Sequence, residues 1–257
     1  MSTLYKNPVV WNDSIWTFLY CIGENFPKHP SSLQKKKLKE FFSSLQYVLP
    51  CELCKGHYKA FFEKYPISKI LHQKPIPLFR YMIRLRNYIM KFYPTSVKLM
   101  TVPQVRAQLR EKCAEQEMTT KNPKVWGQHI WLFLHCSSFT FPLRPSPKDA
   151  ENYDCFLKSL TYILPCKYCR IHLKHYLQQN PLEKHLTSRM QYVRYIIELH
   201  NYINKEYGKK DIVTMRKAKQ LISENCLQEY ERNHVPNIMS AARKKKTTNT
   251  TATNPPG

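Results

Sequence analysis

The chain has 257 residues, nine of them cysteine, and its 41 Lys and Arg outnumber its 18 Asp and Glu to give a formal charge of +23. A composition that is 42% hydrophobic and 13% aromatic excludes a collagen-like or wholly disordered protein. No apolar run approaches the roughly 20 residues that span a bilayer, and the N-terminal residues lack the layout of a signal peptide, so we expect a soluble, non-secreted protein. Cysteine pairs in such a protein usually bind metal or carry out redox chemistry.

Apolar residues recur at helical spacing along most of the chain, and prolines separate the segments. The clearest segment begins near Ser31 and ends before Pro50, because Leu38, Phe41 and Leu45 share one face of it. In chain order, the pattern predicts helices over Trp11–Phe26, Leu33–Leu49, Cys54–Tyr65, Pro77–Tyr93, Trp126–Phe141, Asn152–Leu164, Cys169–Gln178 and Arg189–Tyr207, with a short extra segment near Cys113 and another near Cys226.

The second half of the chain repeats the first. Trp11 recurs 115 positions later as Trp126, and Cys51 recurs at the same distance as Cys166. Rare residues kept in register over such a length indicate a duplicated module. We therefore predict an all-α protein of two tandem four-helix bundles, a first copy over residues 1–118 and a second copy over residues 119–232. Residues 233–257 are polar and basic and are predicted to form a disordered tail.

Each copy carries one CxxC pair, Cys51 with Cys54 and Cys166 with Cys169, where one predicted helix has ended and the next begins. The partial positive charge at a helix N-terminus lowers the pKa of a thiol, and two sulfurs at this spacing can form an exchangeable disulfide. CxxC is also zinc-binding spacing, and a histidine follows each pair three residues later. The spacing alone leaves both interpretations open.

The remaining motifs of the second copy distinguish between them. Its first helix contains Trp126-Gly127, then Trp131 and His135; the CxxC pair is followed by His172; and a later helix carries His200-Asn201, Asn204 and Gly208-Lys209. This order resembles the Erv/ALR family of FAD-dependent sulfhydryl oxidases, of the viral type, with the patterns WGxxxWxxxH, CxxCxxH and HNx(V/I)NxxLGK. The one departure is Tyr207, where the family usually has Leu, and we interpret it as a replacement of one apolar side chain by another.

The resemblance implies an enzyme that makes disulfides in protein thiols and passes the electrons through FAD to molecular oxygen, giving hydrogen peroxide. It implies that Cys166 is the sulfur that substrate thiols attack and that Cys169 lies beside the flavin and forms the charge-transfer thiolate. It also implies a set of cofactor-binding residues: Gly127, Trp131, His135, His172, His200, Asn201, Asn204, Lys205 and Lys209. No metal is expected.

The first copy departs from the family pattern at four of these positions, where it has Asn12, Tyr20, Arg86 and Met90. We therefore predict that it has kept the fold and lost the flavin, and that it packs on the second copy as an internal pseudo-dimer partner. Its CxxC pair remains and has two interpretations. It is either inherited, with at most a structural disulfide, or a secondary redox pair that relays electrons to the second copy.

Five cysteines lie outside the CxxC pairs. The duplication allows Cys21 to pair with Cys113 and Cys136 with Cys226, or Cys113 to pair with Cys226 across the copies. Cys155 has no duplicate, so symmetry suggests no partner for it.

The charge and the tail bear on partners and location. The expected partners are a protein dithiol substrate, for which a thioredoxin-like protein is one candidate, and a second copy of the chain in a homodimer. We expect no membrane and no nucleic acid as partners, and a cytoplasmic location, in a host cell or virion if the chain is viral, with nuclear import an alternative because of the basic tail. The competing hypotheses are a zinc-stabilised basic helical protein that binds nucleic acid, and an inactive scaffold.

Overall fold

The computed structural model describes residues 4–93, 99–114 and 118–234, with side chains described as far as residue 227, and within these ranges the chain is helical and contains no β-strand. The first copy contains α1 (Pro8–Asn25), α2 (Ser32–Val48), α3 (Glu52–Lys64), α4 (Ser68–Leu71), α5 (Leu78–Met90) and α6 (Val102–Ala114). The second copy contains α7 (Pro123–Thr140), α8 (Pro147–Ile163), α9 (Lys167–Gln179), α10 (Arg189–Glu206) and α11 (Met215–His234). Short 3₁₀ helices lie at Leu4–Lys6 and Leu182–His185. The prediction of an all-α protein with tandem helical modules is confirmed.

The two copies begin their helices with the same capping residues. Asn7 and Asn122 cap α1 and α7 with their side chains, and a proline follows each of them at the first helical position. Ser31 and Ser146 form capping boxes at the starts of α2 and α8. These duplicated caps make the equivalent helices begin at equivalent points.

Some predicted boundaries were wrong. Helix α8 begins at Pro147, five residues before the predicted start at Asn152, because Ser146 and Pro147 open the helix ahead of its apolar stripe. Helices α3 and α9 include the residues between the CxxC cysteines, so that the first cysteine of each pair is the N-cap. The extra segments are full helices, α6 and α11, since α6 alone has 13 residues. The predicted tail lies outside the described residues from residue 235 onward.

The copies pack face to face through equivalent helices. Helix α1 lies against α7, and α2 lies against α8. Equivalent residues meet at this interface: the rings of Phe41 and Phe156 stack with centroids 5.4 Å apart, and Ser14 Oγ lies 3.0 Å from His129 Nδ1. Contact between duplicated positions is the signature of a two-fold axis in a homodimer. The copies are therefore arranged as the predicted internal pseudo-dimer.

Other elements join the two copies further. Helix α11 of the second copy packs on α1 of the first, and the N-terminal 3₁₀ helix of the first copy packs on α7 and α11. Tyr5 in that short helix stacks on Phe139 with ring centroids 4.6 Å apart. Buried side chains of both copies form one continuous hydrophobic core. Within the described ranges, no helix is both long and apolar enough to cross a bilayer.

Substitution of a buried residue at the interface should lower the stability of the protein strongly. Phe156 is 1% exposed, so Phe156→Ala should lower the free energy of unfolding by about 3–5 kcal/mol through lost burial and the cavity left behind. Urea denaturation measures this change. Leu143, which is 70% exposed, provides the control, and Leu143→Ala should change the free energy by less than about 0.5 kcal/mol. Equal effects of the two substitutions would contradict the interface described here.

Candidate active site

The CxxC pair of the second copy lies at the N-terminus of α9. Cys166 is the N-cap, and its sulfur accepts a hydrogen bond from the backbone N–H of Cys169 at 3.2 Å. Cys166 is partly exposed, whereas Cys169 is 7% exposed. A thiol from another protein therefore has easier access to Cys166 than to Cys169.

The two thiols have opposite acidities. Hydrogen bonds from the thiol and the backbone N–H of Cys169 hold the pKa of Cys166 well below its usual range. The same pairing, together with burial, raises the pKa of Cys169. In the reduced pair these directions favour the thiolate on Cys166, the sulfur that is also the more exposed.

Tyr207 contradicts the interpretation of its side chain as an apolar replacement. Its hydroxyl lies 3.0 Å from Cys169 Sγ and 3.9 Å from Cys166 Sγ. The ring also makes an edge contact with His172, at 5.8 Å between centroids, and His172 Nε2 lies 3.7 Å from a carboxylate oxygen of Glu206. The hydroxyl was missed although the repeat carries a signal for it, because Tyr93 occupies the equivalent position in the first copy.

Helices α7 and α10 bring three of the predicted cofactor residues together. The rings of Trp131 and His200 stack with centroids 4.0 Å apart and planes 5° from parallel. His135 Nε2 lies 3.0 Å from His200 Nδ1. Burial lowers the pKa of His135 to about 4, and burial together with His135 lowers the pKa of His200 to about 3, so both rings are neutral near pH 7.

The two predicted asparagines bind backbone instead of facing an open site. Asn201 donates to the carbonyl of Val213 at 2.9 Å and accepts from its N–H at 2.7 Å, and Asn204 donates to the carbonyl of Asp211 at 3.3 Å. Asn87 binds Met100 in the same way in the first copy, at 2.8 and 2.9 Å. These amides hold the segment after each helix against the bundle.

Gly208 turns that segment back. It has a φ of 66°, in the left-handed region, and the N–H of Lys209 donates to the carbonyl of Asn204 at 2.9 Å. The N–H of Gly208 also donates to the carbonyl of Lys205 at 2.9 Å. Together the two hydrogen bonds form a Schellman motif, in which the left-handed position is usually glycine. The turn brings Lys209 close enough to His200 to contribute to lowering its pKa. Lys205 and Lys209 are both exposed.

Position 127 differs between the copies in a way that affects its neighbour. In the first copy, Asn12 accepts a hydrogen bond from the indole N–H of Trp16 at 2.9 Å, and Trp16 is 3% exposed. In the second copy, a Cβ added to Gly127 would have no neighbour closer than 4.0 Å, and Trp131 is partly exposed. The absence of a side chain at Gly127 leaves space beside this tryptophan.

The region of the first copy that corresponds to Trp131, His135 and His200 is lined by different side chains. A cavity of about 730 Å³ is lined by Trp16, Tyr20 and Arg86 of the first copy and reaches His129 of the second. Cys51 and Cys54 form a disulfide, and the Tyr93 hydroxyl lies 3.5 Å from Cys54 Sγ. The phenol of Tyr20 thus stands where the second copy has the imidazole of His135, and the guanidinium of Arg86 stands where it has the imidazole of His200.

The other cysteines are unbonded thiols in the structure. Burial, with a smaller contribution from Cys113, raises the pKa of Cys21 to about 12. Cys136 is fully buried. Cys155 Sγ lies 3.9 Å from the carbonyl of Glu40, the residue that occupies its duplicated position. In the described ranges, no group of three or more His, Cys, Asp or Glu side chains is arranged to hold a metal ion.

Comparison with known proteins agrees with the duplication. The sequence model of the Erv1/Alr family matches residues 13–96 and again residues 128–223. A protein of Acanthamoeba polyphaga mimivirus named "Probable FAD-linked sulfhydryl oxidase R368" is 37% identical over 90 residues, which are 35% of this chain and 63% of that protein. A FAD-linked sulfhydryl oxidase of African swine fever virus is 32% identical over 108 residues, which are 41% of this chain and 87% of that protein. The chain thus spans a little under two thirds of the mimivirus relative. No solved structure gives a significant match.

The lowered pKa of Cys166 predicts a pH profile. In the reduced protein its thiolate should persist at pH values below the usual thiol pKa and disappear only as the pH falls through the lowered value. Alkylation by iodoacetamide, followed residue by residue with peptide mass spectrometry, should stay fast at Cys166 at pH 7. Cys136 is the control, because burial raises its pKa and its alkylation should be slow. Similar rates at the two cysteines at pH 7 would refute the assignment.

Proposed function

The chain belongs to the Erv1/Alr family, and from that premise we propose that it is a FAD-linked sulfhydryl oxidase that makes disulfides in protein thiols. The resemblance recognised in the sequence is confirmed at the level of the family. The observation that carries the proposal is the CxxC pair of the second copy, in which the exposed sulfur has the lowered pKa and the inner sulfur is covered. Both viral relatives described above carry this activity in their names.

The residues of the second copy fit a flavin. His135 is fully buried, and its Nδ1 has no hydrogen-bond partner among the described residues, as expected of a group that a ligand completes. Gly127 leaves space beside Trp131 where Asn12 lies beside Trp16 in the first copy. The neutral rings of His135 and His200 add no charge to this space.

Two groups of residues have different parts in holding the cofactor. Trp131, His135 and His200 would contact it, and Lys205 and Lys209 would lie near its phosphates, where their charge is favourable. Asn201 and Asn204 would act indirectly, because their amides fix the backbone that brings Lys209 back towards His200. When bound, FAD would take two electrons from the reduced cysteine pair and deliver them to oxygen, with hydrogen peroxide as the product.

The chemistry of the chain's own residues begins at Cys166. A substrate thiolate attacks Cys166 Sγ, the Cys166–Cys169 bond breaks, and a mixed disulfide forms while Cys169 leaves with the electron pair. A second substrate thiolate then attacks the substrate sulfur of this mixed disulfide, and Cys166 leaves as a thiolate. The backbone N–H of Cys169 stabilises that thiolate by donating to Cys166 Sγ. The products are one substrate disulfide and a reduced cysteine pair.

The first copy would support this site without a flavin of its own. Its Asn12 side chain occupies the space beside Trp16, and Arg86 stands where the second copy has His200. We propose that its Cys51–Cys54 disulfide is inherited and takes no part in turnover.

The substrate would be a protein dithiol in the cytoplasm, and the strong positive charge of the chain would favour acidic partners.

Thiol oxidation should depend on one CxxC pair. Cys166→Ser and Cys169→Ser should each abolish oxygen consumption with a reduced protein substrate, because either change removes the exchangeable disulfide. The matched control changes the equivalent pair: Cys51→Ser combined with Cys54→Ser should leave the rate unchanged. If the control variant lost activity while urea denaturation showed its fold intact, the first copy would be an electron relay, and the inherited role proposed for it would be wrong.

Flavin content should distinguish the copies. We expect one FAD per chain, measured as flavin absorbance against protein concentration, and a ratio near two would contradict the loss in the first copy. Gly127→Asn should lower flavin content strongly, because the new side chain would occupy the space beside Trp131 as Asn12 does beside Trp16. Asn12→Gly, the reverse change in the first copy, should leave the ratio at one.

A further inference from the structure

The hydroxyl of Tyr207, the residue that caps the C-terminus of α10, contacts the sulfurs of the cysteine pair. It lies within hydrogen-bond distance of Cys169 Sγ, at 3.0 Å, and is 3.9 Å from Cys166 Sγ. Burial and the contact with Cys169 raise the pKa of Tyr207, so the phenol keeps its proton through the neutral range. A protonated phenol beside a sulfur can donate a hydrogen bond to it.

The first copy contains the same arrangement. Tyr93, the duplicate of Tyr207, places its hydroxyl 3.5 Å from Cys54, the duplicate of Cys169. The neighbours of the two tyrosines differ: His57 stacks on Phe92 at 4.1 Å, where His172 pairs with Glu206 in the second copy. The contact between tyrosine and sulfur is therefore retained while its surroundings have changed.

The inner sulfur needs a donor at one point in the exchange. When a substrate thiolate attacks Cys166, the disulfide breaks and Cys169 carries away the electron pair as a thiolate. A leaving sulfur departs faster when its pKa is lower, and the hydrogen bond with Cys166, together with burial, raises the pKa of Cys169. A hydrogen bond to the charged sulfur offsets that effect of burial.

We propose that Tyr207 is a catalytic residue that donates its phenolic hydrogen to Cys169 Sγ and stabilises this sulfur as the leaving group of the first exchange. This inference rests on the proposed function and adds to it a residue at which the chain departs from the family pattern. The proton stays on the tyrosine, since only a hydrogen bond is formed and the electron pair remains on Cys169.

Other titratable groups surround this contact. Cys166, the N-cap of α9, interacts with Cys169 directly. His172 of α9 touches the Tyr207 ring, and Glu206 of α10 lies 3.7 Å from His172. A test must therefore remove the hydroxyl and leave the His172 contact in place. Tyr207→Phe does so, because it keeps the ring and deletes one oxygen.

The experiment measures the pKa of Cys169 in the full chain as purified, with Cys166→Ser as background so that Cys169 has no sulfur partner. Alkylation of the Cys169 peptide against pH, read by mass spectrometry, gives the value. Adding Tyr207→Phe should raise the pKa by about one unit, which leaves about tenfold less thiolate at a fixed pH below it. With both active-site cysteines present, Tyr207→Phe should also slow reduction of the disulfide by dithiothreitol.

Two matched variants control for the loss of a hydroxyl. Tyr93→Phe removes the equivalent group from the first copy, and Tyr202→Phe removes a hydroxyl from α10 that lies 2.9 Å from His175 Nδ1. Neither should move the pKa of Cys169. Unfolding in urea reports whether each variant keeps its fold.

The result that overturns the inference is an unchanged pKa of Cys169 in a folded Tyr207→Phe protein, or an equal rise in the Tyr202→Phe control. Neither alkylation nor reduction by dithiothreitol requires flavin turnover or oxygen. If the pKa of Cys169 rises in the Cys166→Ser series as expected but the unsubstituted chain oxidises no thiols, the proposed function is refuted and the hydrogen bond still stands.

Discussion

The apolar faces of α1 and α2 are buried against α7 and α8, their own duplicates, and the positions of the other helices depend on this contact. In the second copy, α7 also packs against α10, which carries His200, and α8 also packs against α9, which carries Cys169. The helices that carry the site therefore pack on helices that are themselves held by the first copy.

This dependence explains which parts of the first copy could change. Phe41 is fully buried, and its contact with Phe156 joins the two copies, so its replacement would expose apolar surface on both sides. Tyr20 and Arg86 line a cavity, and the Tyr20 ring also packs on Phe79. Positions at the interface are constrained by packing between the copies, whereas cavity positions are constrained by packing within the first copy and by any ligand. Loss of the flavin would remove the constraint from the ligand and leave the packing at the interface unchanged.

Much of the fold could be predicted from the sequence, because apolar periodicity and duplicated tryptophans and cysteines are strong local signals. The start of α8 was missed because Ser146 and Pro147 determine it, and neither belongs to the apolar stripe. The site was predicted in its residue types and less well in their contacts. Asn201 matches the family pattern, but its bonds to Val213 depend on how the chain turns at Gly208, which spacing does not reveal. The contact between the Tyr207 hydroxyl and Cys169 Sγ could not be predicted for a similar reason, since it depends on where the end of α10 meets α9.

The hydrogen bond between Ser14 and His129 has a consequence for how the two-copy chain can evolve. In a homodimer, a residue on the two-fold axis must face its own twin, so a donor there meets a donor and an acceptor meets an acceptor. Covalent fusion removes that restriction, because the two copies of one position can then be different residues, such as Ser14 and His129. A second copy released from the chain would bring His129 against His129 and Cys155 against Cys155 on self-association. The fusion therefore also determines which copies pair, because each copy is complementary to the other copy of the same chain. Pairing within one chain is intramolecular, so it does not depend on the protein concentration.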